Sequence, residues 1–183
     1  IVPCYNEEGN IDLFYDETVK ALGDLMPETE LIFVNDGSRD ATIEKLRALC
    51  QRAEYRVRVV SFSRNFGKEV GIYAGMQHAS GEYISLIDAD LQQRPEIVRD
   101  MVKILDEDPE YDVVAAYQDR RGEGKVLSFF KKSFYSIINK LSKVQLQPDA
   151  SDFRTFRRSV RDSILELTEY HRFSKGIFAW VGY

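Results

Sequence analysis

The feature that most restricts this chain is a repeated junction, a short apolar run that stops on acidic or amide side chains. "ELIFVN" gives way to "DGS" at residues 36–38, and "EYISLI" gives way to "DAD" at 88–90. Continuous apolar runs of this length suit strands buried on both faces, whereas strands with one wet face alternate. Segments of helical period separate them. Leu13, Val19 and Leu22 fall on one side of a helix expected over 11–25, with Asn10 as its cap, and Asp40 is expected to cap a second helix ending near Gln51. "VRVVSFS" is β-branched and reads as a strand, "FGKEVGIYAGMQHA" as a helix whose glycines 67, 71 and 75 pack closely on a sheet. Pro95 opens a helix to about Leu105, and "YDVVAAY" is a fifth strand. Alternation of buried strands with helices predicts an α/β fold with a mostly parallel sheet and helices on both faces. In such sheets ligands bind beyond the carboxyl ends of the strands. "CYNEE", "NDGS", "SRNFG", "DADLQ" and "QDRRGEG" all fall there.

Two carboxylates at i and i+2 on a strand point to the same side, so Asp88 and Asp90 can converge. Oxygen ligands suit Mg²⁺ or Mn²⁺, and Mg²⁺ takes few carboxylates together with substrate phosphates. Asp-x-Asp alone is equally an ordinary acidic turn before a helix. Its position at a strand end, with Asp36 at another, favours a metal–nucleotide site. Other nucleotide and nucleophile chemistries lack their signatures. The chain has no G-x-x-x-x-G-K-[ST], no G-x-G-x-x-G after the first strand and no G-x-S-x-G. His78 and His171 are its only histidines, and Cys4 and Cys50 form neither a metal spacing nor a disulfide framework, which points to a reducing compartment.

At 183 residues the chain is expected to be one domain. It opens on Ile1 inside an apolar run and closes on "FAWVGY", so it reads as an internal segment of a longer protein. Its charge is divided. Residues 1–119 carry 12 Lys+Arg against 24 Asp+Glu, a net of −12, and residues 120–183 carry 13 against 6, a net of +7. The acidic part suits metal and donor, the basic part anions. "KVLSFFKKSFYSIINKLSK" sets Leu127, Phe130, Phe134, Ile137, Ile138 and Leu141 in a helical stripe beside five lysines. That is the pattern of an interfacial membrane helix, and also of a core helix with solvated lysines. Nucleic acid is not an expected partner, because the net charge of −5 is negative and no recognition module is present.

"IVPCYNEEGNI", "LIFVNDGSRDAT", "SRNFGKEVGIYAGMQHASGEYISLIDADLQQRPE", "DASDFRTFRRSV" and "HRFSKGIFAWVGY" occur in that order. Together they resemble the inverting family 2 glycosyltransferases of GT-A fold, a Rossmann-like architecture. Within these the chain is similar to the polyprenyl-phosphate branch, the bactoprenol-phosphate glucosyltransferases and dolichol-phosphate mannose synthases. The resemblance covers essentially the whole chain. It implies that Pro3, Tyr5 and Glu7 pack around base and ribose, that Asp36 reads the base, and that Asn35, where many relatives have Asp, has a weaker role. Asp88 and Asp90 match the pair that meets ribose and metal-bound diphosphate, with Asp90 the direct ligand of Mg²⁺ or Mn²⁺ and Gln92 a nearby polar contact. Arg120 or Arg121, and Lys131 or Lys132, fall near positions that hold the acceptor's phosphate, and Asp152, Phe153 and Arg154 match the acceptor-side motif, with Asp152 a base or orienter.

The implied reaction is inverting, metal-dependent transfer of a sugar, UDP-glucose being the expected donor, to a polyprenyl phosphate. Alternatives are GDP-mannose as donor, a sugar hydroxyl of a polysaccharide as acceptor, or an inactive nucleotide-sugar-binding, membrane-docking module. The expected partners are therefore a nucleotide sugar, a lipid phosphate and a membrane surface, with homo-oligomerisation left open. No run in the chain is long and apolar enough to span a bilayer. The full-length protein is expected to be anchored at the cytoplasmic face by flanking segments, with residues 1–119 as the nucleotide and metal part and 120–183 as the acceptor and membrane-facing part.

Overall fold

A computed structural model describes residues 1–117, 150–167 and 178. The strands are β1 (Val2–Cys4), β2 (Glu30–Asn35), β3 (Arg56–Ser61), β4 (Tyr83–Leu86), β5 (Val113–Tyr117) and β6 (Ala150–Arg157). The helices are α1 (Ile11–Leu22), α2 (Thr42–Arg52), α3 (Lys68–His78), α4 (Glu96–Glu107) and α5 (Arg158–Glu166). β1, β2 and β3 pair in parallel in that order, whereas β6 lies between β4 and β5 and is antiparallel to both. The two sheets meet edge to edge. Ser85 O accepts from Ile1 N at 2.7 Å and Ile1 O accepts from Ile87 N–H at 3.2 Å, the bonding of a parallel bridge between β1 and the end of β4.

Both faces are covered, as the apolar runs require. Along β2, Leu31 and Phe33 join Phe14, Leu46, Leu49, Met101 and Phe153 on the side of α1, α2 and α4. Ile32 and Val34 join Ile72, Met76, Phe156, Val160 and Ile164 on the side of α3 and α5. Phe14 meets Phe33 edge to face at 5.9 Å between ring centroids.

Several local expectations change in detail. The first helix ends at Leu22, where Gly23 takes φ +48°, and a 3₁₀ turn continues to Glu28. Asn10 stands at the cap position without capping; its amide donates to Glu7 Oε2 at 2.7 Å instead. Asp40 acts one place ahead of the α2 cap, accepting from Thr42 N–H at 3.1 Å. Of the three glycines expected to pack closely, Gly75 does, since a Cβ there would lie 2.3 Å from Ile1 Cγ2. Gly67 serves instead as the α3 cap at φ +96°. β6 is an addition to the sequence reading. "SDFRTFR" has apolar residues three apart, Phe153 and Phe156, which is not strand period; each packs on a different face of the sheet.

Candidate active site

The ends of β1, β2 and β4 meet beside the start of α3, while "QDRRGEG" lies outside the described residues. Pro3, Cys4, Tyr5, Glu7, Asp36, Lys68, Gly71, Asp88, Ala89 and Asp90 line one cavity of about 220 Å³. Its walls are loops that hold each other. In the β1–α1 loop, Asn6 N–H donates to Ser38 Oγ (2.9 Å), Glu7 N–H to Thr42 Oγ1 (2.8 Å) and Glu8 N–H to Asp40 Oδ2 (3.1 Å). In return Arg39 N–H donates to Asn6 Oδ1 and Ala41 N–H to Glu8 Oε2, at 2.9 and 2.8 Å. Gly37, at φ +61°, packs so closely on the β3–α3 loop that a Cβ would stand 2.2 Å from the carbonyl carbon of Arg64. Only glycine meets both conditions.

Asp36 is 3% exposed, and both its oxygens are engaged. Oδ1 accepts from Phe66 N–H at 2.6 Å and Oδ2 from Gly67 N–H at 2.8 Å. It therefore anchors the start of α3 as well as facing the cavity. Asn35 is structural in its contacts: Oδ1 accepts from Ser38 N–H at 3.1 Å and Nδ2 donates to Ser61 Oγ at 3.0 Å. Cys4 reaches the cavity, where burial, then the charges of Glu7 and Asp88, push its thiol far above the ordinary range.

The two aspartates of "DAD" stand in different surroundings. Ala89 between them is buried. Asp88 pairs with Lys68, Nζ lying 2.6 Å from Oδ1 and 2.9 Å from Oδ2. Gln93 holds the same residue from the other side, donating to Asp88 Oδ2 at 3.1 Å and accepting from Asp88 N–H at 3.0 Å. Asp90 is exposed, and its Oδ1 accepts from Gln92 N–H at 3.0 Å. The next residue, Leu91, takes φ +58°, a left-handed conformation that costs a non-glycine residue about 1–2 kcal/mol. The chain bears that strain where Asp90 is presented.

Lys68 also lies 3.6 Å from Asp152 Oδ2, so Asp152 on β6 comes to the same cation as Asp88. Burial pulls the Lys68 ammonium down, but Asp88 and then Asp152 outweigh it and hold it above its usual value. Phe153 is a core residue. Arg154 lies outside the cavity lining, 4% exposed, with its guanidinium 4.3 Å from the ring centre of Phe178. Burial lowers its pKa, against the charges of Asp152 and Glu69. Gln92 reaches Asp90 through its backbone N–H. Arg120, Arg121, Lys131, Lys132 and the amphipathic stretch at 125–143 lie outside the described residues. Sequence reasoning missed Lys68 and Gln93. A lysine at the first position of a helix that follows a strand end was the available signal for Lys68.

A divalent cation fits this donor set. Among the described residues no group of three His, Cys, Asp or Glu side chains is arranged to enclose a metal. An exposed Asp90 beside an engaged Asp88 is suited instead to a hard cation that takes one or two carboxylates and fills its remaining positions with diphosphate oxygens and water.

Residues 1–165 match the family described as "Glycosyl transferase family 2". The chain is 40% identical over 184 residues to the uncharacterized glycosyltransferase sll0501 of Synechocystis sp. (strain ATCC 27184 / PCC 6803 / Kazusa), covering 100% of this chain and 57% of that protein. It is 38% identical over 183 residues to the bactoprenol glucosyl transferase of Shigella phage SfV, covering 100% of this chain and 59% of that protein. It thus spans just over half the length of the curated relatives it matches. Among solved structures, the mannosyltransferase PcManGT from Pyrobaculum calidifontis, in complex with GDP-Man and Mn²⁺, superposes with a TM-score of 0.64 at 21% identity, over 88% of this chain and 44% of that one. That likeness is one of fold, the GT-A fold expected from the motifs. With the family matched over nearly its whole length, this chain belongs to glycosyl transferase family 2.

Proposed function

We propose that the chain is a single catalytic domain that transfers a hexose from a nucleoside diphosphate sugar to a polyprenyl phosphate, with UDP-glucose as donor. The observation that carries this reading is the convergence of Asp36 after β2, Lys68 at the start of α3, and Asp88 and Asp90 after β4 on one cavity at the strand ends. The likeness to a bactoprenol glucosyl transferase supports the acceptor.

In this reading Pro3, Tyr5 and Glu7 enclose the base and ribose, and Asp36 meets the base while holding the α3 start in place. Asp88, fixed by Lys68 and Gln93, accepts from a ribose hydroxyl. Asp90 would hold the divalent cation, which supplies Lewis-acid neutralisation of the diphosphate when bound. A lipid phosphate is already anionic, so the acceptor needs cations and alignment more than a general base. Asp152, restrained by Lys68, orients that approach. Attack from the face opposite the leaving diphosphate inverts the anomeric centre. The acceptor-phosphate role of Arg120, Arg121, Lys131 and Lys132, and docking of the basic part at the cytoplasmic membrane face, belong to the same proposal. Near an anionic leaflet each such residue adds on the order of 1 kcal/mol.

The test is transfer of labelled sugar onto polyprenyl phosphate by the full-length protein, with UDP-sugars set against GDP-mannose and a soluble glycan set against the lipid. Transfer from UDP-glucose to the lipid phosphate is expected. Transfer to soluble glycan alone, or none from any common donor, refutes the reading.

A further inference from the structure

The cavity carries an imbalance of charge. Among the described residues that line it, Glu7, Asp36, Asp88 and Asp90 are acids and Lys68 is the one cation. Lys68 is the first residue of α3, and its place is set by Asp36, whose oxygens hold the N–H groups of Phe66 and Gly67 at 2.6 and 2.8 Å. From that anchor its ammonium reaches both oxygens of Asp88, at 2.6 and 2.9 Å, and lies 3.6 Å from Asp152. Gln93 closes on Asp88 at 3.1 Å from the other side. Asp90, two residues on, is exposed and is held by a single backbone N–H.

We propose that Lys68 is a positioning residue that divides the roles of the aspartate pair. It keeps Asp88 engaged, so that a divalent cation meets Asp90 alone until a nucleoside diphosphate supplies further oxygens. This rests on the donor-site reading above. The reason is competition: an ammonium in contact with both oxygens of a carboxylate must give way before that carboxylate can ligate a metal. Metal alone therefore binds weakly, and metal with diphosphate binds well, because the diphosphate brings both ligands for the metal and negative charge for Lys68. Removing the ammonium moves two affinities in opposite directions. Asp88 becomes available and the site more negative, so metal alone binds more tightly. The nucleotide loses its protein cation and binds more weakly. A lysine that served only the fold would move both affinities down together or neither.

The experiment uses the full chain as wild type, K68M, K68R, D88N, D90N and the double variant K68M/D88N. Free Mn²⁺ is followed by electron paramagnetic resonance with no nucleotide present. UDP and GDP are titrated calorimetrically at saturating Mn²⁺, and thermal melts monitored by circular dichroism report the fold. K68M is expected to bind Mn²⁺ alone roughly three- to fivefold more tightly, the size of a partly exposed ion pair, and its preferred nucleotide at least about tenfold more weakly. K68R stays near wild type, and the K68M gain disappears in the D88N background, as expected for residues acting through one contact. D88N alone leaves Mn²⁺ binding within about twofold of wild type, while D90N abolishes it. Should K68M not fold, the two aspartate variants still decide, since D88N weakening Mn²⁺ binding as much as D90N overturns the proposal. So does a folded K68M with unchanged or weaker Mn²⁺ affinity while wild type binds nucleotide. If wild type binds neither UDP nor GDP with Mn²⁺, the donor-site reading falls and this proposal with it.

Discussion

The loops around the strand-end cavity and the β6–α5 segment are both rich in charge, and they use it in opposite ways. Around the cavity, acids from separate strand ends are brought together, and the hydrogen bonds that hold the loops leave Asp90 exposed. In β6–α5 three arginines bond backbone carbonyls. Arg157 donates to Tyr111 O at 3.0 Å and to Leu105 O near the end of α4. Arg158 donates to Gly81 O at 3.0 Å and to Ser80 O, and Arg161 donates to Ala79 O. Those carbonyls follow the end of α3, where helices leave acceptors unpaired. The basic character of residues 120–183 was expected to serve anions. The described arginines are engaged within the protein, on carbonyls, on the Phe178 ring and on Asp112 and Asp162. Net charge over a segment counts side chains without saying which of them face solvent.

This contrast can be broken by substitution. The largest effect is expected from Asp90→Asn, which should lower sugar transfer roughly 100-fold or more, as loss of a principal electrostatic group does, while leaving the melting temperature unchanged. A matching loss of stability would show that Asp90 also holds the fold. Asp36→Ala tests where the two uses of charge overlap. It leaves two part-buried backbone N–H groups without their acceptors, at about 1 kcal/mol each. Urea denaturation should register the loss together with weakened nucleotide binding.

Arg161→Gln is expected to cost about 1–2 kcal/mol through the Ala79 carbonyl, with transfer at saturating donor and acceptor unchanged. Weakened binding to anionic vesicles, with stability intact, would instead place this arginine at a lipid surface. The smallest effect belongs to an acid of the same half away from the cavity. Asp12 accepts from Arg52 at 2.6 Å and Lys45 at 3.0 Å, and the Arg52 hydrogen bond first, then that of Lys45, holds its carboxyl below the usual range. Its contribution is present above the unfolded-state pKa and is lost as pH falls through the lower folded-state value. Asp12→Asn should therefore cost about 0.5 kcal/mol at pH 7 and nothing once the carboxyl is protonated in both states, as denaturation at the two pH values would show.

Much of the site could be read from the chain because parallel sheets place their strand ends together. Asp36, Asp88 and Asp90 were found from their places after apolar runs, and Pro3, Tyr5 and Glu7 from the resemblance to family 2 glycosyltransferases. Lys68 escaped because its role depends on an approach to Asp88 from another loop, 20 residues away in sequence. Gln93 escaped because "QQ" offers two identical side chains, and only the left-handed turn at Leu91 settles which of them reaches back to Asp88. β6 escaped because burial on both faces removes the alternation by which a strand is recognised, and its partners are far upstream, Arg157 pairing with Tyr83.

The sequence by itself determined the layered α/β plan, the edge where the polar strand ends collect and the acidic character of the pocket there. These follow from periodicity and from residue types at strand ends, which are local properties. Tertiary structure alone decided what makes Asp88 and Asp90 unequal, that one lysine links Asp88 to Asp152, and that Arg157, Arg158 and Arg161 meet carbonyls. Each of these depends on which distant group comes within about 3 Å of a charge, and Coulomb and hydrogen-bond energies at that range follow contact rather than order along the chain.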